Sequence, residues 1–526
     1  MLKRDISRTN ILFVAAGGMI GSGWLFSPFI SAQMAGPGAL ISWVIATIFM
    51  IFIALPLCEL GTVLPISGGM SNYPTITHGK EVGFLFAWTS WLSYVVMTPI
   101  EIQAVLQYAS HFFPLLIDQH SQSFELSKIG YIAAFLILSA VTLLNTFSIK
   151  FLTECGKYAG IVKFLIPTVT IISLFYLTGS HSGKTLLHNL SYDTHHNNTW
   201  EHIFSALSTG GIAFAFMGFQ NGLVLAGEVK NPQRDIPIAV LGAIAIGFVL
   251  YFLLQLSFLV AMPAKYLTHG WNHLAFPGME SPLVGLTLLL GLGSIAILLL
   301  VDSSLSPLGT ALIYTTATSR ILYGIALNQH LPAFLLKLNR YKIPYVTLII
   351  NFVVGMFSFL PLPGWQKMVA FLSSVGILSY SIGPICLMAM RQLKPLQARP
   401  FRLAYASLVC YLSFYVCNLM LHWCGFSIIW KLYVALLVGL FIHLFYQRQW
   451  RLLIDHRLLW FFLYMSTILV TAYLGPFGGI GALIFPYDMV FIFATSCFIF
   501  YLSQKCVSSE AYANEQMAVI ETTIID

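Results

Sequence analysis

The sequence predicts an all-α polytopic membrane protein built from two inverted repeats, each opening on a broken helix. Three observations carry this expectation. The chain of 526 residues is 58% hydrophobic and only 9% charged, whereas soluble domains run near one quarter charged. Its apolar residues gather into about fourteen segments of roughly 20 residues, the length that crosses a hydrocarbon core. Two of those segments, about 200 residues apart, carry glycine clusters at corresponding positions, the sequence mark of a secondary transporter built from repeats.

The elements follow in order. Residues 1–9 form a short basic tail with Lys3, Arg4 and Arg8. No small-residue cleavage site follows it, so the first apolar segment is expected to stay in the membrane. That segment, 10–34, contains "GGMIGSGWLF", with Gly17, Gly18, Gly21 and Gly23. Spans at 39–64, 82–113, 129–147 and 158–178 complete a first repeat, 10–178. The sixth span, 202–226, contains "STGGIAFAFMGFQNG", with Gly210, Gly211, Gly218 and Gly222, and opens a second repeat, 202–390. Its companions lie at 236–261, 286–318, 344–361 and 366–390, which sets the ten-helix core at 10–395. Four further spans, 403–423, 427–446, 458–475 and 487–503, fill residues 396–503. The tail 504–526 is polar and acidic past Ser508 and is expected to be disordered.

Orientation follows from Lys and Arg in the short loops. With the N-terminus inside, twenty of them fall on the inner side and five on the outer side. Both termini are therefore expected in the cytoplasm. The net charge of +7 reflects this topology and does not point to a nucleic-acid partner. The eight cysteines include Cys410, Cys417 and Cys424 on one helix face, and they read as small apolar packing residues. The outer loop 179–201 holds His181, His188, His195 and His196. It reads as a solvated polar loop, with a metal or pH-sensing role as the alternative. No nucleophile–base pair, metal motif or nucleotide loop suggests an enzyme, and no cofactor beyond a coupling proton is expected.

Glycine inside a helix costs about 1 kcal/mol against alanine. Two clusters of it invite the first and sixth spans to unwind. Unwound backbone within a membrane survives only where protein or a water-filled cavity surrounds it. Amide N–H groups at a half-helix N-terminus attract a carboxylate, and freed carbonyls attract an ammonium. An α-amino acid carries both. The competing reading is close helix packing through small residues.

At this point the chain resembles a known family, the amino acid–polyamine–organocation (APC) permeases. The motifs are "GGMIGSGWLFSP" in the first span, "CELGTVLPISGGMSNYP" after the second, "LAGEVKNPQRDIPIAV" after the sixth and "SRILYGIALNQHLP" after the eighth. They cover about residues 8–400, and the pattern is most similar to the aspartate–proton symporter branch through "SHF", "FFP", "SPLGTALIYTTATSR" and "PLPGW". The resemblance implies a LeuT-type 5+5 inverted repeat with helices one and six broken at the site.

It also implies roles for individual residues. Gly21, Ser22 and Gly23 match the break whose amides bind the substrate carboxylate, with the Ile20 carbonyl beside it for the amine. Phe214 matches the aromatic that closes over substrate. Ala215, Phe216 and Met217 match the unwound segment of helix six. Lys163, in "GIVKFLIP", matches a fifth-helix lysine that proton-coupled members hold at an ion site, with Thr310 as its eighth-helix neighbour. The physics agrees, because an ammonium inside a span is costly unless it has a function and a partner; the bland alternative is a lysine that snorkels to the interface.

One departure stands out. Many members carry an acid at the end of the sixth-helix break, where this chain has Gln220 in "GFQ". An amide transfers no proton, so that task is absent or moved. Glu101, after Pro99, and Asp302, in "LLLVDSSLSP", are the other intramembrane acids and are candidates for proton coupling or substrate selection. Glu59 and Glu228 belong to inner-loop signatures and read as ion-pair partners. The expected function is proton-coupled amino-acid uptake by alternating access, with aspartate or glutamate as first substrate. An exchanger of the same fold is the alternative, and a non-transporting amino-acid sensor a more distant one. The expected partners are the amino acid and the lipid bilayer, and the sequence leaves the oligomeric state open.

Overall fold

The computed structural model describes residues 6–66, 70, 72–118, 123–147, 149–180, 199–448 and 456–525. Regular structure among them is helical, with two isolated β-bridges. Eight of the described helices are long and apolar enough to cross a membrane, or nine when a bent pair counts as one. Four shorter apolar helices accompany them.

The first span divides into α1 (Arg8–Met19) and α2 (Gly23–Ala35), followed by α3 (Ala39–Val63). Ser7 starts α1, its hydroxyl accepting from the Asn10 amide at 3.3 Å, which satisfies one of the four donors a helix start leaves free. A short inner helix α4 (Tyr73–His78) leads into α5 (Lys80–Val95) and α6 (Met97–Ala109). These last two form one span, jointed at Val96 just ahead of Pro99, whose ring cannot fit the preceding helical turn. Then come α7 (Lys128–Leu144) and α8 (Ile149–Ser180). The sixth span is broken twice, into α9 (Thr199–Thr209), α10 (Ile212–Phe216) and α11 (Asn221–Val224), with a bend of 45° at the first break. The chain continues through α12 (Pro232–Ala261), α13 (Pro282–Leu289), α14 (Gly293–Leu327), α15 (Tyr345–Ser358) and α16 (Trp365–Leu393). It closes with α17 (Ala406–Trp423), α18 (Phe426–Gln447), α19 (His456–Leu474), α20 (Tyr487–Lys505) and α21 (Glu510–Ile525).

Two boundaries differ from the sequence reading. The apolar run 286–318 is not one helix. Gly291, at φ +76°, ends α13 in the left-handed region, and α14 then runs on to Leu327. Hydropathy cannot see this break, because leucines flank it on both sides. The tail expected to be disordered instead holds α21. Its sequence holds three Ala and three Glu, which favour helix, and no Gly or Pro, and it is anchored. The Ser508 amide donates to the Thr77 carbonyl at 2.8 Å, the Ser508 hydroxyl to the Ile76 carbonyl at 2.9 Å, and Lys394 pairs with Glu510 at 2.9 Å. The His78 ring lies 3.3 Å from the Ser503 carbonyl, and burial pushes its pKa down to about 4, so it serves as a neutral donor. The histidine-rich loop lies outside the described residues.

The described N-terminal end of the chain is pinned to the segment after the sixth span. Ile6 bridges to Val229, Arg8 pairs with Asp235 at 2.7 Å, and Arg8, Val63, Lys230, Arg234 and Pro400 line a common cavity of about 720 Å³. Glu59 is fully buried there. It accepts from Arg391 at 2.6 and 2.9 Å, from Arg399 at 3.5 Å and from the Leu403 amide at 2.7 Å. The expectation of an ion pair at Glu59 therefore holds, while Glu228 takes part through its carbonyl, which accepts from the Ile6 amide at 3.0 Å. Removing one partner of such a buried pair costs about 3–5 kcal/mol. Arg391→Met is thus expected to lower the melting temperature of the detergent-solubilised protein sharply, whereas Lys394→Met, at the exposed Glu510 pair, changes it little.

Two of the helices past residue 396, α17 and α18, pack directly against the earlier ones. On α17, Trp423 stacks on Phe204 of α9 at 4.1 Å and on Phe49 of α3 at 5.9 Å. The Ser208 hydroxyl donates to the Met420 carbonyl at 3.1 Å. On α18, the Ala435 carbonyl accepts from Trp88 of α5 at 3.1 Å. The contacts to Phe204 and Ser208 brace α9, the first segment of the broken sixth span.

Candidate functional site

The glycines explain why the two broken spans meet. A Cβ on Gly218 would lie 2.3 Å from the Gly18 carbonyl carbon, and one on Gly18 would lie 2.4 Å from Asn221 Nδ2. Gly218 also sits at φ +128°, which L side chains rarely adopt. A Cβ on Gly23 would press on the Phe214 ring at 3.1 Å. The packing reading and the unwinding reading are therefore both true: the breaks exist, and missing side chains let them touch. Gly17 is the exception, with no described atom of another element within 4 Å of its Cβ position.

The freed backbone is satisfied by side chains from neighbouring helices. At the first break, α1 ends at Met19, whose carbonyl accepts from the Tyr251 hydroxyl at 2.8 Å and the Gly21 amide at 3.2 Å. Ile20 caps α1 with φ −91° and ψ 87°, outside the helical region. The α2 N-terminus then presents its amides. The Ser22 amide donates to the Glu101 carboxylate, at 2.9 Å to Oε2 and 3.3 Å to Oε1. A Cβ on Gly21 would lie 2.5 Å from Glu101 Oε1, so glycine there makes room for the acid. A helix N-terminus with a carboxylate on it is a favourable pairing.

At the second break, the Gly218 amide donates to Gln220 Oε1 at 2.7 Å, and the Tyr380 hydroxyl donates to the same oxygen at 2.8 Å. Gln220 thus closes the unwound turn as an acceptor, which gives the departure from "GFE" a structural task. One expectation is corrected here. Ala215 and Phe216 are not unwound. Gly211, at φ +91°, restarts the helix, and the Ala215 amide bonds the Gly211 carbonyl at 2.9 Å. Unwinding begins at Met217, with ψ 133°. Phe216 packs edge-on against Trp43 at 5.7 Å and Tyr251 at 6.3 Å.

Lys163 lies well inside α8 and is only 4% exposed, so it does not snorkel. Its ammonium donates to the Thr310 hydroxyl at 2.6 Å. That hydroxyl donates in turn to the Ser306 carbonyl at 3.0 Å, and the Ser306 hydroxyl donates to Asp302 Oδ1 at 2.9 Å. Asp302, Ser306 and Thr310 recur every four residues, so they form one stripe on α14. Lys163 is in electrostatic contact with both Glu101 and Asp302. The structure therefore joins the pair expected from the resemblance, Lys163 and Thr310, to the two acids that the sequence offered separately, Glu101 and Asp302.

Sequence reasoning missed Trp365. It begins α16, and its Nε1–H donates to the Ser22 hydroxyl at 2.9 Å. Its ring lies 4.7 Å from Phe26 and edge-on to Phe214 at 5.7 Å. Trp365 and Phe214 thus stand together over the break, from two different helices, α16 and α10. The sequence held it in "PLPGW", where only its neighbours looked informative. Trp365→Phe keeps a ring and removes the donor, a loss of about 1 kcal/mol. The expected result is a rise of about fivefold in the KM for transported substrate, with folding unchanged by size-exclusion chromatography.

The sequence matches the amino acid permease family over residues 10–456. The chain belongs to the amino acid permease family. The permease is similar over 511 residues to the glutamate/serine transporter AimA of Bacillus subtilis, at 34% identity, covering 95% of this chain and 93% of that one. It is 32% identical over 508 residues to the aspartate-proton symporter of the same organism, covering 95% and 96%. The L-asparagine permease of Salmonella typhimurium is 26% identical over 409 residues, covering 74% and 76%. These relatives are permeases and transporters, not enzymes. With its several helices long enough to span a bilayer, the permease is a multi-pass membrane protein.

Proposed function

We propose that this permease is a proton-coupled amino-acid symporter that takes up acidic amino acids, aspartate or glutamate first. The observation that carries the reading is the first break. It opens a helix N-terminus at Ser22 beside a buried cluster of one ammonium and two carboxylates. The substrate carboxylate binds the amides of Gly21, Ser22 and Gly23. Its ammonium turns to the Ile20 carbonyl and to Met217, where the sixth span unwinds. Phe214 and Trp365 close over it. Lys163, Thr310, Glu101 and Asp302 handle the proton.

The reading includes a LeuT-type 5+5 arrangement of the first ten of fourteen spans, with both termini in the cytoplasm of a cell whose plasma membrane holds the protein. Alternating access to the one site follows from rocking the broken helices against the rest. Two similar proteins are named for acidic substrates, one of them also for serine and the other for a proton, and this supports the substrate class.

The test is uptake of radiolabelled aspartate, glutamate and serine into proteoliposomes with an imposed inward proton gradient. Accumulation into empty vesicles, abolished by a protonophore, is expected. Uptake only into vesicles preloaded with amino acid would make the protein an exchanger and overturn symport.

A further inference from the structure

We infer that Glu101 is a resident occupant of the substrate-carboxylate cradle, so that its ionised side chain and the carboxylate of an incoming amino acid exclude one another. This rests on the reading of the first break as the amino-acid site.

The geometry is direct. The Ser22 amide has one hydrogen, and both Glu101 oxygens lie on it, at 2.9 and 3.3 Å. The space a Gly21 side chain would take is filled by the same carboxylate, with Oε1 2.5 Å from the Cβ position. Glu101 is fully buried, 79 residues from Ser22 in sequence. Its placement reproduces what a substrate carboxylate would do at a helix N-terminus. Two carboxylates in contact at one donor cannot both stay ionised. The substrate therefore enters as Glu101 takes a proton from the side that is open. The neutral acid can then turn from Ser22 and donate its O–H to the substrate carboxylate. When substrate leaves, the proton leaves to the same side, and the Ser22 amide is taken again by the Glu101 carboxylate. No bond other than O–H forms or breaks.

The surrounding charges agree. Among the described residues, the ionisable groups facing Glu101 are Lys163 from α8, Tyr251 from α12 and Tyr314 from α14, with Asp302 of α14 beyond Lys163. With the tyrosines neutral, the one lysine among these described groups balances two acids and leaves a single negative charge. An acidic substrate would add a second, and a proton on Glu101 removes it. Lys163 is held by Thr310 and is the balancing cation. Glu101 is the member of the cluster that touches the backbone amide of the break.

The experiment is calorimetric binding of aspartate and of serine to the purified protein across acid to neutral pH, for wild type and Glu101→Gln. Wild-type affinity is expected to rise as pH falls, by up to about tenfold per pH unit while Glu101 is ionised. Glu101→Gln is expected to bind at neutral pH as tightly as acidified wild type, with no pH dependence, and to lose proton-driven accumulation. A Glu101→Gln protein that keeps the wild-type pH dependence, or binds more weakly at every pH, overturns the inference and leaves the amino-acid site intact. Wild type that binds no amino acid at any pH overturns both. If Glu101→Gln fails to fold, wild type with serinamide, which lacks the competing carboxylate, decides the matter. Its binding is expected to show no gain on acidification, and a gain equal to that of serine overturns the inference.

Discussion

Gly218→Ala is expected to abolish transport and to destabilise the protein, while Gly17→Ala does neither. The alanine methyl at 218 would be built 2.3 Å from the Gly18 carbonyl carbon and 2.5 Å from the Met19 nitrogen, on a residue at φ +128°. Backbone strain of that kind costs about 1–3 kcal/mol, and overpacking adds a similar amount. Neither neighbour is a flexible side-chain end that could swing aside. The broken spans must separate, and the two halves of the site separate with them. At Gly17 no described atom of another element lies within 4 Å of the Cβ position, and alanine favours helix over glycine by about 1 kcal/mol. Melting in detergent and uptake in proteoliposomes, run on both variants, check this. Equal behaviour of the two would contradict the account of the breaks.

Lys163→Met is the second large effect. The substitution keeps the volume of the stem and removes the cation that balances Glu101 and Asp302. Breaking a buried charge cluster this way costs about 3–5 kcal/mol. Among the described residues Asp302 Oδ2 has no hydrogen-bond partner, so none of them offers a spare donor to compensate it. Proton-driven accumulation is expected to vanish. Thr310→Val removes only the acceptor of the ammonium, at 2.6 Å, and is expected to be milder, with uptake reduced about tenfold or less. Accumulation by Lys163→Met at the wild-type level would show that the lysine is a structural residue alone.

The breaks were legible in the sequence because their cause is local. Glycine clusters mark unwinding wherever they stand, and both clusters fall where the helices part. The buried lysine was legible for a similar reason, since a charge within an apolar run needs a partner. What the partners do was not legible. Nothing in "GSGWLF" says that Glu101, 79 residues on, reaches its amide, because that contact depends on how α6 packs against α2. Trp365 escaped for the same reason, its donor meeting Ser22 across 343 residues. The run 286–318 was misread because a hydropathy window averages over Gly291. The tail was misread because its polarity looked like disorder, while its docking on α4 is tertiary. Phe216 was assigned to the unwound segment because a motif alignment carries no backbone angle.

Proton symport, as proposed above, requires that protons enter together with the amino acid. The most direct measurement follows lumenal pH with a trapped dye in proteoliposomes while aspartate is added outside, with no imposed gradient. The account predicts that the lumen acidifies on addition of aspartate, and that Glu101→Gln and Lys163→Met abolish the signal. Aspartate entering wild-type vesicles with no change in lumenal pH would contradict it.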